Sequence, residues 1–179
     1  VTLGVDETTT VVLTVPDETR AGEFDAMLEA STDDAADSAE TTIKFGSIKD
    51  ALSRAGAGDT VEVAAGNYDE SVTIADGGLT LSGDGSTLNT TGTAIEVTAA
   101  NVTVEGFQFR NASVGVDTTA DDTTLRTSRF FSSVTNGTDI TAADALVENN
   151  HFDGLDTALS LTGNASNATI VDNNIYDNN

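Results

Sequence analysis

The sequence predicts an all-β fold wound as a parallel β-solenoid, and three observations predict it. First, a short phrase returns five times, as LTLSG (79–83), VTVEG (102–106), TLRTS (124–128), ALVENN (145–150) and TIVDNN (169–174). Aligned on Gly83, Gly106, Ser128, Asn149 and Asn173, the copies stand 23, 22, 21 and 24 residues apart. A unit this short cannot enclose a core alone, so consecutive copies must stack and bury one another's apolar residues. Second, the last four copies run straight into another short strand: FQF at 107–109, RFF at 129–131, HF at 151–152 and IY at 175–176. Third, another strand lies between copies, as VTI (72–74), IEV (95–97), VGV (114–116), TDI (138–140) and LSL (159–161). Three short strands per coil is the geometry of a parallel β-helix, whose equivalent positions stack about 4.8 Å apart.

Residues 1–32 read as two strands around a turn at Pro16 and Gly22. Val11, Leu13 and Val15, then Phe24, Ala26, Leu28 and Ala30, alternate with the period of a half-buried strand. Residues 33–44 open with DDAADSAET, acidic and small, and read as a linker. A helix follows. Ser47 and Asp50 form a capping-box signature, Ile48, Leu52 and Ala55 share one face, and Gly56 and Gly58 stop the run. Placed directly before a solenoid, this helix serves as an N-terminal cap on residues 45–179. The coils start at Asp59, and the final one reads as incomplete at the C-terminus, with no capping helix after Tyr176.

Through FGSIKDAL (45–52), AGDTVEVAAGNYDESVTI (57–74), LTLSGDGS (79–86), VEGFQF (104–109), NNHF (149–152) and NNIYDN (173–178), residues 45–179 resemble the right-handed parallel β-helix proteins of the pectate-lyase-like superfamily, in the repeat class related to copper-enzyme maturation β-helices. The resemblance implies fold far more than function, because this scaffold serves polysaccharide lyases, hydrolases, epimerases, spikes, adhesins and inert surface repeats. Residues 1–32, through the pattern that runs from Leu3 to Phe24, resemble the last strands of immunoglobulin-like modules of archaeal and bacterial surface proteins, which implies a partial immunoglobulin-like β segment over 1–32 ahead of the solenoid.

Seven Lys and Arg against 30 Asp and Glu leave a net charge of −23 on 179 residues. Such a surface repels itself until salt shortens the Debye length to about 3 Å near 1 M. In this the chain resembles proteins of halophilic archaea and their viruses. The same field opposes nucleic acids and anionic membranes, whose binding needs a basic surface. No apolar run approaches the roughly 20 residues that span a bilayer. There is no cysteine, hence no disulfide or thiolate metal site.

Asn149, Asn150, Asn173 and Asn174 occupy matching places in successive coils and read as an internal asparagine ladder. Phe107, Phe109, Phe130, Phe131, Phe152 and Tyr176 read as a core aromatic stack with one of Phe130 and Phe131 turned outward. Asn89, Asn101, Asn111, Asn136, Asn164 and Asn167 open glycosylation sequons, mostly in predicted turns. His151, the single histidine, has no second His or Cys to complete a transition-metal site and reads as a rung residue. Turn aspartates such as Asp76, Asp84, Asp117, Asp121, Asp122, Asp144, Asp153, Asp156, Asp172 and Asp177 are the right chemistry for calcium, but no EF-hand or nonapeptide pattern assigns it. Arg126 occupies the slot of Leu81, Val104, Val147 and Val171 in the aligned phrase. No catalytic, cofactor or metal constellation emerges.

The expectation is therefore a non-catalytic, glycosylated structural or adhesive module. Its setting would be extracellular, on a cell surface or virion in high salt. Other subunits or further chain would cover its two ends, and surface polysaccharide is a candidate partner. The alternative is a carbohydrate-active β-helix, a polysaccharide lyase, hydrolase or binding module.

Overall fold

The computed structural model describes residues 20–31 and 36–179. The predicted strand in residues 1–15 lies outside the described residues. Three parallel sheets run along a solenoid. The first sheet holds Arg20–Ala21, Thr60–Val63, Thr80–Ser82, Thr103–Glu105, Thr124–Arg126, Leu146–Glu148 and Thr169–Val171. The second holds Asn67–Tyr68, Thr87–Asn89, Gln108–Arg110, Arg129–Phe130, His151–Asp153 and Asn174–Tyr176. The third holds Val72–Ile74, Thr93–Val97, Val114–Thr118, Asn136–Ile140 and Thr157–Leu161.

Strand register sets the core. Val61, Leu81, Val104, Leu125, Val147 and Ile170 align in the first sheet, so Leu125 takes the apolar slot and Arg126 points outward beside Glu105 and Glu148. This corrects the one-residue offset in the aligned phrase, which likewise assigned Val171 instead of Ile170. In the third sheet Ile95 pairs with Val116, not Val114, so the equivalent segment is 116–118 rather than 114–116. With that shift the connections 74→81, 97→104, 118→125 and 140→147 are all seven residues, and only 161→170 is longer.

The second sheet stacks Leu88, Phe109, Phe130, Phe152 and Ile175. The Phe109 and Phe130 rings lie 4.5 Å apart and nearly parallel, and Phe130 and Phe152 lie 4.6 Å apart. That spacing is the inter-strand distance itself. Phe107 is buried but tilted away, Phe131 is half-buried on the outside, and Tyr176 is exposed, so the aromatic column is three rings long. Opposite the rings the third sheet narrows to Gly115 and Gly137. A Cβ on Gly115 would overlap the Phe130 ring, and one on Gly137 would come within 2.7 Å of Phe152.

Sharp corners need backbone that ordinary residues avoid. Between the first and second sheets the left-handed position is filled by Gly106, Thr127, Asn149 and Asp172, and between the third and first by Gly78, Asn101, Asp122, Asp144 and Asn167. Gly, Asn and Asp tolerate this conformation, whereas Thr127 is β-branched and an exception.

Helix Ile48–Leu52 is only five residues, with both bonds of the Ser47–Asp50 capping box formed. Glu70 of the first coil adds a second cap by accepting from the Ile48 and Lys49 amides at 2.9 and 3.3 Å. Ile48, Ala51 and Leu52 are buried, and the helix touches strands of the first and third sheets, closing the first coil's end. Ala21 is buried and pairs with Val63, so residues 20–21 belong to the solenoid. Between this strand and the helix, Glu23–Ser31 and Ala36–Lys44 form an antiparallel hairpin, anchored by an edge-on Phe24–Phe45 contact. Residues 36–44, read from their composition as linker, are thus strand. The hairpin ladder satisfies a backbone that carries little apolar signal of its own. No immunoglobulin-like sandwich is shown by the described residues.

Phe130→Ala is expected to cost about 3–5 kcal/mol, as for buried aromatics generally. Gly115→Ala should also destabilise, but the double variant should cost less than the sum, because removing the ring relieves its clash with the new methyl and leaves only the approach to the Gly137 carbonyl oxygen. Chemical denaturation of the three variants checks this; strict additivity would contradict it.

Candidate functional site

Because alternate residues of each strand point outward, the three sheets present three surfaces of different character. On the first sheet, arginines pair with glutamates along one column. Arg20 bridges Glu62 at 3.0 Å, and Arg126 binds Glu105 at 2.6 Å through both Nε and Nη2.

The second sheet displays Thr87, Gln108, Arg129, His151 and Asn174 in one register column. Beside it stand Arg110 and Phe131, where both guanidinium groups rest on one ring: Arg110 lies 3.6 Å and Arg129 4.6 Å from the Phe131 centroid. Neither arginine has an ion-pair partner among the described residues. The single histidine also faces outward here, its Nε2 2.7 Å from the Tyr176 hydroxyl.

The third sheet displays Thr73, Glu96, Asp117, Asp139 and Ser160 in one column. Thr73 donates to Glu96 at 3.2 Å. Asp139 Oδ1 is buried without a hydrogen-bond partner among the described residues. Burial, followed by the Asp139 and Glu96 carboxylates, holds the Asp117 carboxyl above the ordinary value of 3.8.

The predicted asparagines separate into two kinds. Asn150 and Asn173 point inward and stack: Asn150 Oδ1 accepts from the Ser128 amide, and Asn173 Oδ1 from the Asn150 amide, both at 2.9 Å. Their Nδ2 groups donate to the Leu125 and Val147 carbonyls. Asn149 is instead the left-handed turn residue, and Asn174 begins a strand beside His151. Asn178 repeats the inward geometry at the next corner, accepting from the Leu155 amide at 2.8 Å and donating to the Phe152 carbonyl. The sequence signal for Asn178 was the recurring Asp-Asn pair at 172–173 and 177–178.

Among the sequon residues, Asn101, Asn111, Asn164 and Asn167 are exposed, while Asn89 and Asn136 are half-buried in strands. Asn111 donates to Asn89 at 2.6 Å and Asn89 to Asp69 at 2.9 Å, so attaching sugar to either nitrogen would disturb a side-chain ladder. Among the described residues no three His, Cys, Asp or Glu side chains come together as a metal site, the turn aspartates included. A cleft of about 630 Å³ lies at the hairpin base, lined by Glu23, Phe45, Tyr68, Asp69 and Glu70 among others. Burial, then Glu70 and Glu23, raises the Tyr68 phenol above 10.0.

No protein-family model matches the chain, and neither a curated protein nor a solved structure does so. What is shown is therefore the parallel β-solenoid with its three contrasting faces.

Asp117 yields a pH prediction. The folded state holds its proton more tightly than the unfolded chain, so the ionised carboxyl lowers stability at neutral pH. That penalty disappears as pH falls through the raised value toward 3.8. Asp50 acts in the opposite sense and below that window: its carboxyl is depressed by the Ser47 cap, so its contribution is lost as pH falls through the depressed value. Asp117→Asn should therefore melt higher than the parent at pH 7, with the gap closing toward pH 4. Thermal denaturation showing a lower melting point at pH 7, or a gap independent of pH, would contradict the acidic-column reading.

Proposed function

We propose that this chain is a non-catalytic structural or adhesive module of a halophilic extracellular assembly, on a cell surface or a virion, wound as a right-handed β-helix of the pectate-lyase-like kind. The observation that carries the proposal is the last coil. Leu161, Ile170, Val171, Ile175 and Tyr176 are exposed, each by more than a third of its surface, although Ile170 and Ile175 are members of columns buried elsewhere. Apolar strand edges of this kind are what a further β-coil covers, supplied by additional chain or by another subunit. The charge of −23 fits a concentrated-salt setting, and exposed sequons at Asn101, Asn164 and Asn167 fit an extracellular one.

A carbohydrate-active reading is favoured by one observation, the carboxylates of Glu96, Asp117 and Asp139 in direct register on one face, because glycoside chemistry works with a pair of neighbouring carboxyl groups. Surface labelling of the source cells or particles with a membrane-impermeant reagent, followed by intact mass, tests the structural reading. It predicts a labelled chain heavier than the bare polypeptide. Recovery of unlabelled, unmodified chain from the cell interior would contradict it, and turnover of a polysaccharide by the isolated chain would replace it with the carbohydrate-active reading.

A further inference from the structure

We propose that copies of this chain pack side by side, the Arg110–Arg129 face of one against the Glu96–Asp117–Asp139 column of the next. The proposal rests on the assembly reading and names its lateral contact. Two uncompensated charge arrays of opposite sign motivate it. In a chain with 30 acidic and seven basic residues, nearly every arginine could find a carboxylate, and Arg20 and Arg126 do. Arg110 and Arg129 do not among the described residues; they are held together on the Phe131 ring, which limits their side-chain freedom and leaves their N–H groups to an outside acceptor.

The acidic column is uncompensated in the reverse sense. Glu96, Asp117 and Asp139 lie in direct register on three successive strands, and Asp139 Oδ1 is buried with no donor among the described residues. Burial and these neighbours disfavour ionised Asp117, a condition that an outside cation relieves. On the first sheet, by contrast, both outward arginines already hold a carboxylate, Arg20 that of Glu62 and Arg126 that of Glu105.

Both arrays advance with the coils. Arg110 and Arg129 come from adjacent strands of the second sheet, one rung apart along the axis and two residues apart along the strand, with both guanidinium groups converging on Phe131, while the three acids stand in direct register on the third. Two solenoids lying side by side can bring the paired guanidinium groups of one against the acidic column of the other, opposite charge meeting opposite charge. Because different faces meet, the contact is heterologous and propagates to a ring or an open array. The net charge of −23 on each copy opposes approach in dilute buffer. Molar salt shortens that repulsion to about 3 Å, while charges in direct contact still interact.

Sedimentation of the whole chain over a concentration series in molar potassium chloride tests the contact. The parent is expected to self-associate. Arg110→Glu with Arg129→Glu, and separately Asp117→Lys with Asp139→Lys, should each weaken self-association by on the order of tenfold or more, the size expected for lost close charge pairs. A mixture of the two reversed variants should associate again. Circular dichroism confirms their folding; should a reversed variant unfold, Arg110→Gln with Arg129→Gln, or Asp117→Asn with Asp139→Asn, is expected to show the same weakening. A parent that stays monomeric throughout, or reversed variants that associate as tightly as the parent, overturns the proposal. So does a monomeric parent whose arginine face retains a uronic-acid polymer, which would assign the face to a polyanion. None of these outcomes bears on surface labelling, so the assembly reading stands or falls separately.

Discussion

A coil of this length can bury its apolar side chains only against the coils above and below, so strict vertical register is the constraint from which the rest of the structure follows. Register turns Phe109, Phe130 and Phe152 into a column, and the rings together with the backbone oxygens of the next strand leave room only for Gly115 and Gly137 across the interior. The same demand fixes the corners, where a single left-handed residue reverses the chain without lengthening it. Asn150, Asn173 and Asn178 then satisfy amides and carbonyls that no strand ladder reaches at those corners. A buried backbone group left without such a partner would cost about 1–3 kcal/mol.

Register also organises the outside of the molecule. Residues of like position repeat above one another, so a single outward substitution alters a column rather than an isolated point. Glu105 and Arg126 cancel on the first sheet, whereas Glu96, Asp117 and Asp139 reinforce one another on the third. A solenoid with three faces can thus carry three electrostatic identities.

Much of this was legible in the sequence because the repeat reports the first-sheet strands directly. The errors came from aligning turns by chemistry rather than by backbone conformation. Ser128 and Asn173 look like the partners of Gly106 and Asn149, yet the residues sharing their left-handed geometry are Thr127 and Asp172. That one-residue slip placed Arg126 and Val171 indoors. The hairpin strand at 36–44 was hidden for a different reason: small and acidic residues carry almost no alternation signal, and a partner strand supplies the order. The Arg110–Phe131–Arg129 stack could not be seen at all, since its members become neighbours only when adjacent coils are superposed.

Amide hydrogen exchange, read strand by strand, tests vertical stacking most directly. If each coil is held chiefly by its neighbours, protection should be greatest in strands flanked on both sides, such as Thr103–Glu105 and Thr124–Arg126, and should fall toward Thr169–Val171 and Asn174–Tyr176. Uniform protection along the solenoid, or strongest protection in the last coil, would contradict the account.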